Sequence, residues 1–364
     1  RLVGSEMCIR DSYLLGDRMR SLKIHGPKDL RIEDYPLENL SPDQVEVSIA
    51  IGGVCGTDLH YYKHGGFGQI KLKEPMVLGH EVSGYINKIG SKVSNLSIGQ
   101  LVSVSPSRPC NKCNFCLDGL QIHCSNMQFY GSAMPFPHIQ GAFRENLIAE
   151  AYQCIPADGL SPEEAAMAEP LAVCLHATKQ AKDIFGKKIL IVGSGPIGTL
   201  CVLSARRAGA KEIIVTDISD KALEYSKSVG ADKVINTAQN KNLIEELQSR
   251  KGYFDVAIEC SGSPSGINDA IKCLKPRGEL IQLGLGGDIL MPLVAITTKE
   301  LTLKGSFRFH SEFELAVEMM KKKLINVNPL ITHNIPFQNA EEGFKIAIDK
   351  YQNSMKVQLD FKNN

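Results

Sequence analysis

The chain has 364 residues, 43% hydrophobic and 22% charged, with 41 Lys and Arg against 40 Asp and Glu for a formal charge of +1. That length favours two domains over one core, and the balanced charge leaves no electrostatic footprint for nucleic acid. No apolar run approaches the roughly 20 residues that span a bilayer, and the eleven clustered Cys point to metal ligation in a reducing, cytoplasmic setting rather than to disulfides.

Residues 1–18, RLVGSEMCIRDSYLLGDR, lack the basic start and apolar stretch of a secretory signal and show no periodicity. They read as a non-native or disordered extension, with the native start at Met19 and no role for Cys8. From Leu22 to Ile51, "SLKIHGPKDLRIEDYPL" and "QVEVSIAIGGV" alternate apolar and polar residues between Pro and Gly breaks. From Met76 to Val104, "MVLGHEVSGYINKIG" and "GQLVSVSP" continue the pattern, which predicts a β-rich body. The texture changes near Ser161. "SPEEAAMAEPLAVCLHATKQA" opens on Ser, Pro and two Glu, a composition suited to a helix N-terminus. The strand "KKILIV" runs into a Gly-rich turn, and "TLCVLSARRAGA", "EIIVTD", "SDKALEYSKSVG", "FDVAIECSG", "INDAIKCLKPRG" and "ELIQLGLGG" follow. Strands alternating with helices predict a parallel, doubly wound sheet. Beyond about Arg308, two helix-like segments, "SEFELAVEMMKKKL" and "AEEGFKIAID", precede a last strand, "SMKVQLDF".

The turn is Gly193-Ser194-Gly195-Pro196-Ile197-Gly198. A strand before it, a helix after it and Asp217 at the end of the next strand make it a dinucleotide fingerprint rather than a chance glycine run. Gly193 permits the tight turn, Gly195 lets a pyrophosphate approach the backbone, and Gly198 lets helix and strand pack closely. The helix N-terminus offers unpaired N–H groups to phosphate. Asp217 can accept from adenosine ribose hydroxyls and would repel a 2′-phosphate, so NAD is favoured. Lys221 nearby softens that preference and admits NADP. Leu283 and Gly284 are further cofactor candidates.

Cys110, Cys113, Cys116 and Cys124 form C-x2-C-x2-C-x7-C. Four thiolates so spaced can close a tetrahedron around Zn2+ with no open position, a structural site. An iron–sulfur centre is the chemical rival, disfavoured because ferredoxin spacing ends in a closer fourth Cys. A second set is looser: Cys55 in "GGVCGTDLHYY", His80 and Glu81 in "VLGHEVSG", and Glu169 in "MAEPLAV". Thiolate, imidazole and carboxylate suit a zinc ion that keeps one place open. Singly, each has a bland reading as a core, turn or surface residue. Beside a dinucleotide turn they make joint sense, since hydride transfer from an alcohol needs a Lewis acid.

On these motifs, with "PSRPCNKCNFC", "FYGSAMPFPHIQGAF" and "GSFRF", the chain from about Met19 to Phe361 resembles the zinc-containing medium-chain dehydrogenases. Within them it resembles the polyol branch of sorbitol, xylitol and L-idonate dehydrogenases, and the stretches "GSAMPFPH" and "GSFRF" point to the idonate type. The resemblance implies an α/β chain: a GroES-like catalytic domain over 19–170 carrying both zinc sites, a Rossmann NAD-binding domain over 171–308, and a return to the catalytic domain over 309–364. It implies that Cys55, His80 and Glu81 hold the catalytic zinc, with Glu169 either beside them or exchanging onto the metal. Ethanol-type relatives carry Cys at that third position. Here Glu169 stands there, which argues against simple alcohols and leaves Cys174 a core residue.

The implied reaction moves a hydride between NAD(P) and a secondary alcohol of a sugar acid or polyol, L-idonate to 5-keto-D-gluconate first. Thr57 and then His60 are candidates to relay the proton to solvent. Tyr61, Arg308 and Phe309 are candidates for substrate grip, Arg308 because its planar fork matches a carboxylate. Phe307 and Arg308 also belong to the expected nicotinamide contact. Sorbitol or xylitol oxidation is the nearest alternative, and a zinc-free quinone-reductase-like or structural relative the remote one. A homodimer or homotetramer is implied.

Overall fold

The computed structural model describes residues 19–36, 38–349 and 352–362. The extension over 1–18, with Cys8, lies outside them. The alternating segments form a seven-stranded sheet in which Cys154–Pro156, Leu101–Val104, Glu81–Ile89, Gln44–Gly53, Lys356–Asp360 and Ile331–Pro336 lie side by side, with Asn146–Glu150 also paired to Gln44–Gly53. The last strand of the chain is therefore built into the first β body, antiparallel to Gln44–Gly53 with Gln358 opposite Gly53. Val45, Val47, Val82, Val102, Leu147, Val357 and Leu359 fill the core of this body.

The alternating strand–helix region forms a six-stranded parallel sheet in the order Lys233–Asn236, Glu212–Asp217, Lys188–Val192, Phe254–Glu259, Leu274–Gln282, Thr302–Gly305. Numbered along the chain this is 3-2-1-4-5-6, whose order reverses beside the first strand, where ligands of open α/β sheets bind. Separate apolar clusters cover its two faces, as a sheet buried on both sides requires. The expected α/β architecture, a β-rich domain joined to a doubly wound one, is what the chain adopts.

One local expectation needs refinement. The segment after Ser161 is two helices, Pro162–Ala166 and Ala168–Gln180. Ser161 caps the first with a capping box: Glu164 N donates to Ser161 Oγ at 3.2 Å and Ser161 N donates to Glu164 Oε2 at 2.9 Å. Pro170 has no N–H to give to the Ala166 carbonyl, so the first helix cannot run on. The restart places Glu169 in the first turn of a new helix. No helix among the described residues is long and apolar enough to cross a membrane.

Candidate functional site

The strand Gln44–Gly53 delivers Cys55 to the N-cap of the helix Gly56–His64. Its neighbour Glu81–Ile89 begins with Glu81 opposite Gly53. Gly79, at φ +91°, makes the turn that aims His80, and a Cβ there would overlap the Phe143 ring, so only glycine fits. One ligand atom from each of Cys55, His80 and Glu81 then lies within 4.8 Å of the others. His80 is buried and its Nδ1 has no hydrogen-bond partner. The carboxylate facing that nitrogen belongs to Asp58, 3.8 Å away and fully buried. Asp58 is held by N–H donation from Cys55 at 3.1 Å and Gly79 at 3.3 Å, which fixes its carboxylate beside the His80 ring, beyond hydrogen-bond distance of Nδ1. Burial, and then the carboxylates of Glu81 and Asp58, push the Cys55 thiol well above its ordinary range. A thiolate in this place calls for a divalent cation.

Glu169 is buried beside this set but is not one of the three residues whose ligand atoms converge within 4.8 Å. Burial pushes its carboxyl up to about 7, with His80 opposing and Glu81 adding to the shift.

The second constellation also closes. Cys110, Cys113, Cys116 and Cys124 bring their sulfurs within 4.8 Å of one another, Cys113 to Cys116 at 3.6 Å. Backbone N–H groups of Cys110 and Asn126 donate to Cys124 Sγ at 3.1 and 3.4 Å, and the Lys112 N–H is the first cause lowering the Cys110 thiol to about 6. N–H donation to Cys110 and Cys113 favours their thiolates, the form a metal binds, whereas burial and the neighbouring sulfurs push Cys116 up to about 12.

In the doubly wound sheet, a cavity of about 1000 Å³ is bounded by Gly193, Gly195, Asp217, Ser219, Lys221 and Ser261. The helix Pro196–Arg207 starts at its wall. A Cβ at Gly198 would penetrate the Gly193 carbonyl, whereas a Cβ at Gly195 would meet no protein atom within 4 Å. Gly198 therefore serves packing, and the space above Gly195 is room for a ligand. Asp217 accepts N–H bonds from Ser194 at 2.7 Å and Ser219 at 2.8 Å, so it clasps the turn as well as facing the cavity. Pro196 and Ile197 form the first helical turn. Leu283 and Gly284 are not among the residues that bound this cavity; both donate N–H to the Glu259 carbonyl. The Glu259 carboxylate in turn holds the backbone of Ser261 and Gly262.

Arg308 adopts φ +54°, which a non-glycine residue rarely takes. Its guanidinium lies 4.1 Å over the Phe129 ring and 4.8 Å over the Phe307 ring, and Nη2 meets Met134 Sδ at 3.2 Å. Among the described residues no carboxylate forms an ion pair with it. Burial lowers it to about 10, with the charges of Glu169 and Tyr61 opposing. Thr57 is half-buried in the first turn after Cys55, and His60 is exposed one turn further on.

Two of the expected substrate contacts are buried. Tyr61 is 1% exposed and its hydroxyl accepts the Ala133 N–H at 3.0 Å, which ties it to the loop before "MPFPH". Phe309 is 1% exposed and stacks on Phe313 at 5.6 Å within the core.

Four residues at the site escaped the sequence reading. Asp58 had a signal, an acid three places after Cys55. Phe129 and Met134 lie in a stretch noticed only for its resemblance. Lys356 had none. It is 3% exposed and its Nζ donates to Glu81 Oε2 at 2.6 Å and Oε1 at 2.9 Å.

Residues 41–159 match the family Alcohol dehydrogenase GroES-like domain and residues 196–322 match Zinc-binding dehydrogenase. The chain is 43% identical to L-idonate 5-dehydrogenase (NAD(P)(+)) of Escherichia coli (strain K12) over 94% of its own length and 99% of that protein's. It is 36% identical to sorbitol dehydrogenase of Bos taurus, over 90% and 92% of the two chains. The crystal structure of the Escherichia coli L-idonate 5-dehydrogenase superposes with a TM-score of 0.88 at 39% identity, covering 94% of this chain and 98% of that one.

Proposed function

This chain belongs to the zinc-binding, GroES-like alcohol dehydrogenase family, and from that premise we propose that it transfers a hydride between NAD(P) and a secondary hydroxyl of a sugar acid or polyol, L-idonate to 5-keto-D-gluconate being its preferred reaction. The observation that carries the reading is the convergence of Cys55, His80 and Glu81 within 4.8 Å. The 43% identity to L-idonate 5-dehydrogenase supports the sugar acid. The likeness to sorbitol dehydrogenase supports a second reading, a neutral polyol such as sorbitol or xylitol.

In this reading Cys55, His80 and Glu81 hold the catalytic zinc, and Cys110, Cys113, Cys116 and Cys124 hold a structural one. Zinc, when bound, supplies the Lewis acidity that makes the substrate hydroxyl a better proton donor. Asp58 keeps the His80 ring in place. Glu169, its carboxyl raised to about 7 by burial, can hold a proton at neutral pH beside the ligands. Thr57 Oγ1 receives the hydroxyl proton and passes it toward His60, whose exposed ring delivers it to solvent. The dinucleotide supplies the hydride acceptor. The chain binds it with the positive end of the helix Pro196–Arg207, the open space over Gly195 and the Asp217 carboxylate on the ribose. Arg308, unpaired with any described carboxylate, grips the substrate carboxylate through its planar fork, and Phe307 lines the nicotinamide side. Catalytic residues fall in 19–170 and the cofactor cleft in 171–308, with 309–364 returning to the first domain. The protein works in the cytoplasm as a homodimer or homotetramer.

The test is kcat/KM for L-idonate, sorbitol, xylitol and L-threonine with NAD and with NADP, on protein whose zinc has been quantified. L-idonate is expected to lead. Idonate turnover at background moves the reading to a neutral polyol, and full activity in zinc-free protein removes the metal assignment.

A further inference from the structure

Glu81 and Lys356 are 275 residues apart and nearly inaccessible, at 1% and 3% exposure. They come from the two strands that flank Gln44–Gly53 in the seven-stranded sheet. Strands one apart are separated by nearly 10 Å across the intervening one, so two such side chains meet only if the middle strand leaves a gap. Gly53 is that gap. It lies opposite both Glu81 and Gln358, and a Cβ there would overlap Glu81 Oε2. Over it Lys356 Nζ reaches both Glu81 oxygens, at 2.6 and 2.9 Å, with a third, longer donation to the Val54 carbonyl at 3.4 Å. Burying an ammonium is costly unless it is paired, so its placement here needs a reason.

The charges supply one. Cys55 as thiolate, Glu81 and Asp58 put three negative charges around His80, one more than a divalent ion neutralises. Lys356 supplies the third compensating positive charge, and it does so by occupying the oxygens with which Glu81 would grip the ion. We propose that Lys356 is a positioning residue that divides the Glu81 carboxylate between an internal ammonium and the metal, and thereby holds the affinity of the open-site ion below what Cys55, His80 and Glu81 would otherwise give. This rests on the reading of those three residues as a zinc site. Its consequence has a definite sign. Removing the ammonium takes away a cation that repels the metal and competes for its ligand, so zinc binds more tightly. The same change leaves the metal-free protein with an uncompensated buried carboxylate, so that form becomes less stable.

The experiment uses full-length protein as wild type, Lys356→Met, Lys356→Gln and Cys55→Ser. Each is equilibrated with zinc against a graded series of dipicolinate, bound zinc is counted by elemental analysis, and melting temperature is recorded zinc-free and zinc-loaded. Wild type is expected to hold two ions per chain, the more labile of which is absent from Cys55→Ser. In Lys356→Met, the dipicolinate concentration that removes half of the labile ion should rise at least tenfold. The gap between zinc-free and zinc-loaded melting temperatures should widen, because a ligand that binds the native state more tightly stabilises it more. Lys356→Gln should move the same way and decides the matter should Lys356→Met not fold. A half-removal point within twofold of wild type, or below it, overturns the proposal, since a lysine with a purely structural role lowers stability without tightening zinc. A labile ion that survives Cys55→Ser overturns the metal reading itself, and the proposal with it.

Discussion

Gly195 and Gly198 lie in the same turn, yet the structure gives them opposite constraints. Gly195 has φ −72° and ψ −173°, an extended conformation open to any residue, and its absent Cβ would touch no protein atom within 4 Å. Gly195→Ala should therefore leave the protein as stable as wild type, or raise stability by about 0.4–1 kcal/mol through loss of unfolded-state freedom. The added methyl group would occupy the path by which a pyrophosphate approaches the backbone. Losing even one or two backbone N–H contacts to phosphate, at about 1.5–3 kcal/mol each for a charged acceptor, weakens NAD binding by at least tenfold. Gly198→Ala is the counterpart. Its Cβ would fall far inside the roughly 3.5–4.0 Å at which nonbonded atoms rest, against the Gly193 carbonyl. The turn must open, with a stability loss of about 2 kcal/mol or more. Urea unfolding and NAD fluorescence titration of both variants separate the effects. Gly195→Ala that binds NAD within twofold of wild type would show that the open space over Gly195 is not the cofactor's path.

Glu169→Gln is expected to lower kcat at least tenfold while leaving the Kd for NAD unchanged, because its carboxyl stands beside the metal set and not in the cofactor cavity; stopped-flow hydride transfer and NAD titration read the two, and unchanged turnover refutes the placement. Asp217→Ala should narrow the kcat/KM preference for NAD over NADP, and should also cost stability, since Ser194 and Ser219 lose their acceptor; an unaltered cofactor ratio means another residue sets it. Glu312 is held well below its ordinary value: burial pulls it up, but the His176 ring 3.4 Å away and hydrogen bonds from Lys179 and the His310 N–H outweigh burial. A depressed carboxylate stabilises the fold above its ordinary pKa of 4.5 and loses that contribution as pH falls below it. Glu312→Gln should thus cost about 1–3 kcal/mol at pH 7 and markedly less at pH 3.5 by urea unfolding, and an equal deficit at both pH values refutes the assignment.

Much of this protein can be read without coordinates because its chemistry is written in short spacings. The four Cys of the lobe lie within fifteen positions, Gly193 to Gly198 within six, and strand–turn–helix order alone implies where a phosphate would lie. Cys55 and His80 were legible only in company, since a lone thiol or imidazole has several uses. What the spacing could not carry is where a side chain goes once distant strands pair. Tyr61 and Phe309 look like surface groups of a site in sequence, yet each is buried, Tyr61 with its hydroxyl on the Ala133 N–H and Phe309 stacked on Phe313. Lys356 looks like the polar face of a final strand, and on an edge strand it would be solvated. Its strand is instead paired beside Gln44–Gly53, and the missing side chain at Gly53 leaves room for the Glu81 carboxylate it meets. Local composition determines which groups this chain possesses; the register of strands hundreds of residues apart decides which of them are buried face to face, because desolvated charges can persist only where a partner is already in place.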